Sequence, residues 1–177
     1  MASIIKANEL QDFGGNSIIT SNGSGTVTVN SAQMKNTPAF EAYLSSAQSV
    51  SDASYTKVQC NTEVLDTDNC YDNSTNYRFT PTTAGKYFVF ANIAFDADSP
   101  YARHQIKIYK NGSHIARSQL RLTGNYFKNA DTNSVINYAV DMNGTSDYLE
   151  IYGFLDQNGA TQNTVGYGVF GAFRIIT

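Results

Sequence analysis

The sequence predicts an all-β domain, a sandwich or jelly roll of roughly ten short strands preceded by a short β-hairpin. Three observations predict it. Apolar residues recur at every second position in one segment after another. Asn-Gly pairs punctuate those segments. The composition combines 12 Tyr and 10 Phe with no Trp and only 15% charged residues, the vocabulary of half-buried strands joined by polar turns. No segment carries a convincing amphipathic helix.

Residues 1–33 differ in pattern from the rest of the chain. In SIITSNGSGTVTVN two alternating segments, Ser17–Thr20 and Thr26–Asn30, flank Asn22-Gly23-Ser24-Gly25, which reads as a hairpin. Such a unit has too little apolar surface to stand alone, so it must pack on something larger.

From Pro38 onward strand succeeds strand. GKYFVFANIAF is apolar on both faces, with Tyr87, Val89, Ala91, Ile93 and Phe95 on one and Phe88, Phe90 and Ala94 on the other. A strand of that kind is predicted to lie in the middle of a structure. In IKIYKNGSHIAR, Ile106 and Ile108 lead into Asn111-Gly112, the strongest hairpin signal in the chain. In VINYAVDMNGTSDYLEIYGFL, Ile136, Tyr138, Val140 and Met142 alternate up to Asn143-Gly144, predicting a second hairpin whose return begins at Tyr148. Pro38, Pro81 and Pro100 sit at segment edges or in loops, where strands tolerate them.

Several function classes are set aside by the residues. Gly166, Gly168 and Gly171 in GYGVFGAFRIIT spell a dinucleotide-binding motif, but only six residues come after the last glycine. That motif needs a strand before it and a helix opening after it. A net charge of -3 and a pI near 5.2 argue against nucleic acid as a partner. No apolar run approaches the roughly 20 residues of a membrane helix, and MASIIKANELQDF, with a single Lys and only two consecutive isoleucines, does not read as a secretory signal. Asn22, Asn73, Asn111 and Asn143 begin N-x-S/T triplets, which an Asn-, Ser- and Thr-rich chain produces by chance.

Catalytic and metal chemistry finds no constellation. With a two-residue turn at Asn111-Gly112, His114 is expected opposite Tyr109 and His104 opposite Gln119, too far apart to share a metal or a substrate. Cys60, Cys70, His104 and His114 have no zinc spacing. Cys60 and Cys70 are read as a buried thiol and a loop thiol rather than a disulfide. The carboxylate pairs Asp66/Asp68, Asp96/Asp98 and Asp147/Glu150 read as solvated loop charges or, when crowded, weak calcium ligands. No enzyme, cofactor or metal is expected.

PAFEAYLS (38–45), the block from Cys60 to Ala91 and the closing GVFGAFRII together resemble the globular head of the complement C1q and tumour-necrosis-factor-like superfamily. Asp66, Tyr71, Phe79, Gly85 and Tyr87 match the family's central pattern. Cys60 stands where the family has Phe, the interval from Tyr71 to Phe79 is one residue longer, and Val89 and Ala91 replace two aromatics. The resemblance covers about 140 residues and implies a jelly roll assembled as a homotrimer. Tyr87, Phe88, Phe90, Phe95, Phe170 and Phe173 are then expected in the core or at the trimer interface, and the glycines near the C-terminus admit close approach of neighbouring rings.

NYRFTPTTAGKYFVFANI and the N-terminal ANELQDFGGNSIITSNGSGTVTVN look more like the versions carried by tailed bacteriophages. That likeness implies a chain complete in itself, with residues 1–33 as a virion attachment segment holding through Ile18, Ile19, Val27 and Val29, and residues 34–177 as the head. The implied role is a fibre- or tip-like projection on the exposed surface of the particle, meeting a host glycan or protein. The alternatives are a capsid or tail decoration with a purely structural trimeric knob and, third, a polysaccharide depolymerase. The loops Asp98–Tyr101, Leu122–Thr132 and Leu155–Tyr167 supply aromatic and amide surface for binding.

Overall fold

A computed structural model describes residues 7–31, 34–97, 103–121, 132–156 and 163–175. The first three strands, β1 (Glu9–Gln11), β2 (Ser17–Ser21) and β3 (Val27–Val29), form an antiparallel sheet of their own in the order β1-β2-β3. The predicted hairpin is β2–β3. Asn22 closes its turn by accepting bonds at Oδ1 from the backbone N–H groups of Ser24 and Thr26, at 2.9 and 3.1 Å. The pairing of β1 with β2 was not legible in the sequence, because three residues are too few to show alternation. Leu10, Phe13 and Val27 are exposed on this unit, so among the described residues it has no core of its own.

The remaining strands are β4 (Ala39–Tyr43), β5 (Gln48–Ser49), β6 (Thr56–Lys57), β7 (Thr62–Asp66), β8 (Tyr71–Asp72), β9 (Arg78–Phe79), β10 (Gly85–Ala97), β11 (Arg103–Lys110), β12 (Ser113–Arg121), β13 (Thr132–Met142), β14 (Leu149–Asp156) and β15 (Asn163–Arg174). They build two sheets. One runs β13-β10-β15-β4-β7 with β5 beside β15, and the other runs β12-β11-β14-β9-β8 with β6 beside β14. Long-range neighbours such as β4 and β15 give the jelly-roll sandwich that the sequence predicts. The strand total exceeds the predicted ten because β5, β6, β8 and β9 are two-residue pairings, too short to leave a periodic signal.

The core lies between the sheets. Tyr87, Val89, Ile93 and Phe95 of β10 are wholly buried, as are Ile106 and Ile108 of β11 and Leu149, Ile151 and Leu155 of β14. Each such large side chain contributes roughly 1.5–3 kcal/mol when fully removed from water. At one end, Phe40 stacks on Tyr71 and Phe79 with ring centroids 4.6 and 4.4 Å apart, and it meets Phe170 edge-on at 4.9 Å.

Two sequence expectations need correction. Asn111 and Gly112 both have positive φ, 51° and 77°, the conformation a tight hairpin turn demands, and Tyr109 does face His114. A β-bulge between Ile108 and Tyr109 then shifts the register by one, so His104 faces Leu120 rather than Gln119. Asn143-Gly144 does not close a hairpin, since β13 and β14 belong to different sheets. The turn instead carries the chain across the sandwich. A Cβ on Gly144 would lie 2.2 Å from the backbone nitrogen of Ala84, so only glycine lets this crossing pack on the approach to β10.

Candidate interaction face

The residues that match the family pattern are structural. The Asp66 carboxylate accepts bonds from the backbone N–H groups of Cys70 and Tyr71 at 3.0 and 2.8 Å, which fixes the turn into β8. The Tyr71 hydroxyl donates to the Cys60 carbonyl at 2.9 Å, and the Tyr87 hydroxyl donates to the Thr83 carbonyl at 2.7 Å. Gly85 leaves space for Arg174, whose Nε would stand 2.8 Å from a Cβ there.

Among the described residues neither histidine belongs to a reactive cluster. His104 is fully buried, with Nδ1 2.8 Å from the Ser134 hydroxyl and its ring against Phe95 at 5.1 Å. Burial pulls its pKa down to about 4. His114 is exposed on β12. Asp147 bonds Lys110 at 2.8 Å and Asn111 at 2.7 Å, contacts that hold its carboxyl below the usual carboxylate range. Glu150 is buried against Lys57. Among the described residues no group of three His, Cys, Asp or Glu is placed to hold a metal.

Both cysteines are free and buried. Cys70 lies in the loop between β7 and β8, as expected, but is buried there, its thiol beneath the β8 turn and 3.5 Å from the Asp68 carbonyl. Burial pushes the Cys60 thiol up to about 12.

The feature that calls for a partner is the outer face of the β13-β10-β15-β4-β7 sheet. Strand alternation and register set it row by row. Phe88 lies beside Phe173 of β15, and Phe90 beside Gly171. Asn92 lies between Val135 of β13 and Val169 of β15, and Val169 in turn faces Tyr43 of β4. The Phe88 and Phe173 rings stand 5.4 Å apart. Val135, Tyr167, Leu65 and Phe173 are 55%, 49%, 47% and 37% exposed. The Lys86–Asp141 pair, at 2.8 Å, closes one end of the face. Asn92 Oδ1 is buried there and meets no hydrogen-bond donor among the described residues. Polar residues interrupt the face, Asn137 beside Phe90 and Glu41 between Gly171 and Leu65. Exposed aromatic and aliphatic side chains interspersed with polar groups are the anatomy of a protein–protein contact.

The six aromatic residues expected in the core or at a subunit contact thus divide between the faces. Tyr87, Phe95 and Phe170 point into the core, and Phe88, Phe90 and Phe173 lie on the outer face. The sequence reading did not single out Tyr43, Leu65, Val135 or Val169 for that face. The signal was present in Val135, which alternates out of phase with the core-facing Ile136.

Gly168 and Gly171 find their reason in this sheet. A Cβ on Gly168 would approach the Ile93 side chain to 3.1 Å on the core side, and one on Gly171 would lie 2.2 Å from Phe90 Cζ on the outer side. Of the proposed attachment residues, Ile18, Ile19 and Val29 are half-buried and Val27 is exposed. An open groove of about 330 Å³ runs past Leu10, Ile19 and Val27. The proposed binding loops Asp98–Tyr101 and Leu122–Thr132 lie outside the described residues, apart from Thr132 itself, as do residues 157–162 of Leu155–Tyr167.

No protein-family model matches the chain. No curated protein matches it either. Solved structures do. The globular domain of zebrafish complement 1qA superposes with a TM-score of 0.61 at 16% identity, covering 78% of this chain and 96% of that one. The Eiger TNF structure from S. frugiperda gives 0.57 at 9% identity over 78% and 93%. Murine APRIL gives 0.53 at 10% identity over 77% and 98%. At these identities the likeness establishes the fold, an all-β sandwich of the C1q/TNF jelly-roll type.

Proposed function

We propose that this jelly roll is a homotrimeric, non-enzymatic binding head, displayed as a projection on a bacteriophage particle and used to attach to the host surface. The observation that carries the trimer is the uncovered apolar sheet face around Phe88, Phe90 and Phe173. Left in water it would be an aggregation hazard. Packed against equivalent copies around a three-fold axis it becomes a closed interface. That arrangement turns the opposite sheet outward, where a ligand can reach it.

Residues 1–33 are the attachment segment in this reading, with Ile18, Ile19, Val27 and Val29 against other virion proteins. The phage assignment rests on the sequence likeness alone. Host attachment is preferred to a purely structural knob because the outward sheet carries a concentration of uncompensated positive charge.

Light scattering on the purified protein tests the trimer, with three times 19.4 kDa expected and a stable monomer at micromolar concentration overturning it. Counting copies in purified particles tests the role. A few trimers at the tail support attachment, hundreds on the shell indicate decoration, and absence from the particle removes the virion reading.

A further inference from the structure

We propose that the outward face of the β11–β12 ribbon binds an acidic polysaccharide carrying uronate or sulfate groups. It rests on the reading of the chain as a binding head and is independent of trimer formation.

Residues 103–121 carry five Lys and Arg and no Asp or Glu, which leaves seven Lys and Arg against fifteen Asp and Glu in the rest of the chain. The acidic pI of the whole protein hides this segregation. The register sharpens it. Arg103 faces Arg121, and Lys107 faces Arg117, on the same side of the ribbon. Like charges directly opposite each other on neighbouring strands are destabilising. Two such pairs in one ribbon are poor design for stability alone and good design for an anion.

The rest of this face neutralises only Arg103 of the four. Asp156 pairs with Arg103, and Glu150 with Lys57. Among the described residues Lys107, Arg117 and Arg121 have no carboxylate partner. The two β11 cations are also held in place, since Arg103 lies 4.6 Å over the Phe154 ring and Lys107 lies 3.8 Å over Tyr55. A group already ordered loses less freedom on binding.

Spacing and ring use select the ligand. The rows Arg103/Arg121 and Lys107/Arg117 stand four residues apart, about 13 Å along the strands. Between them Gln119 is exposed, while Gln105 opposite it is buried and accepts from the Tyr55 hydroxyl at 2.6 Å. Cation rows that far apart, with the exposed Gln119 amide between them, fit a chain of hydroxyl-rich sugars with intermittent anionic groups. A nucleic acid strand places a charge roughly every 3.4 Å and uses open ring faces for base stacking. Here cations cover Tyr55 and Phe154, and Tyr109 packs against Tyr152 at 4.3 Å.

The test is calorimetric titration of the full-length protein with two acidic probes, an oligogalacturonate and a sulfated galactan oligosaccharide. Each is compared with its neutral form, methyl-esterified or desulfated. At least one acidic probe is expected to bind about tenfold or more tighter than its neutral form, and to weaken as salt rises. Arg117→Gln combined with Arg121→Gln should cost about tenfold or more in affinity. Arg117→Lys with Arg121→Lys should retain most of it, and Lys35→Glu, with the same net-charge change as the Gln pair, should leave binding unchanged. Failure of both acidic probes overturns the proposal, as does full affinity in the folded Gln pair. So does single-stranded DNA binding the same residues more tightly than either glycan. A monomer that binds an acidic probe refutes the trimer and not this face, whereas a trimer that binds neither probe refutes this face and not the trimer.

Discussion

The Phe90 ring occupies the space that a side chain at Gly171 would need: a Cβ there would lie 2.2 Å from Phe90 Cζ. The two residues are register partners on β10 and β15, so the ring lies across the neighbouring strand and keeps the outer face low. Gly171→Ala should turn the ring outward. Because only the far end of one side chain must move, the unfolding free energy of the single chain should change by less than about 1 kcal/mol. Self-association, read by sedimentation, should weaken about tenfold or more. An unchanged trimer would remove Phe90 from the contact.

Phe170 and Phe173 stand three residues apart on β15, one wholly buried and one 37% exposed. Phe170→Asp should prevent folding, since an unpaired buried charge has no compensation. Phe173→Asp should yield a folded chain that no longer self-associates. Circular dichroism and light scattering separate the two outcomes, and a monomer unfolded by Phe173→Asp would show that the outer face is part of the fold's own core.

His104 predicts a pH dependence. Its pKa, about 4 when folded against an ordinary 6.5, means that the unfolded chain binds the proton first. The stability contributed by neutral His104 is therefore complete above pH 6.5 and lost as pH falls from 6.5 towards 4. The Asp12, Asp72 and Asp147 carboxyls are held low by hydrogen bonds and lose their contribution only below the usual carboxylate range. Melting temperatures between pH 7 and pH 4.5 should fall in the native protein, and the fall should be smaller in His104→Gln.

The two thiols should respond differently to serine. Cys60 is fully buried and sits in an apolar cluster, so Cys60→Ser buries a hydroxyl and should cost about 1–3 kcal/mol. Cys70 lies 3.5 Å from the Asp68 carbonyl and 3.9 Å from the Thr82 hydroxyl. A serine hydroxyl can inherit those contacts, and Cys70→Ser should cost less than about 1 kcal/mol. Equal losses in denaturant titrations would contradict this account.

The sheet of β1, β2 and β3 shares no hydrogen-bonded ladder with the sandwich among the described residues. A chain starting at Lys35 should keep the fold and the oligomeric state of the full protein while failing to join particles. Loss of the head's cooperative melting on truncation would show that residues 1–33 belong to the head.

The sequence by itself determined which face of a strand is apolar, because the alternation of side chains has a period of two. That is why β10 and the Asn111-Gly112 hairpin were legible, and why the dinucleotide reading of the last glycines could be set aside. It did not determine which strands are neighbours. The pairing of β15 with both β10 and β4 joins segments far apart in the chain, and closing a long loop costs little more than closing a short one, so packing decides. Packing also carried Asn143-Gly144 across the sandwich instead of into a hairpin and buried Cys70 under its turn. The bulge after Ile108 shifted His104 to Leu120. The same register set Arg103 against Arg121 and Lys107 against Arg117. The acid-free run 103–121 was visible in the sequence, but only the tertiary structure placed its charges in facing rows, because a one-residue slip in register moves every side chain to a new partner.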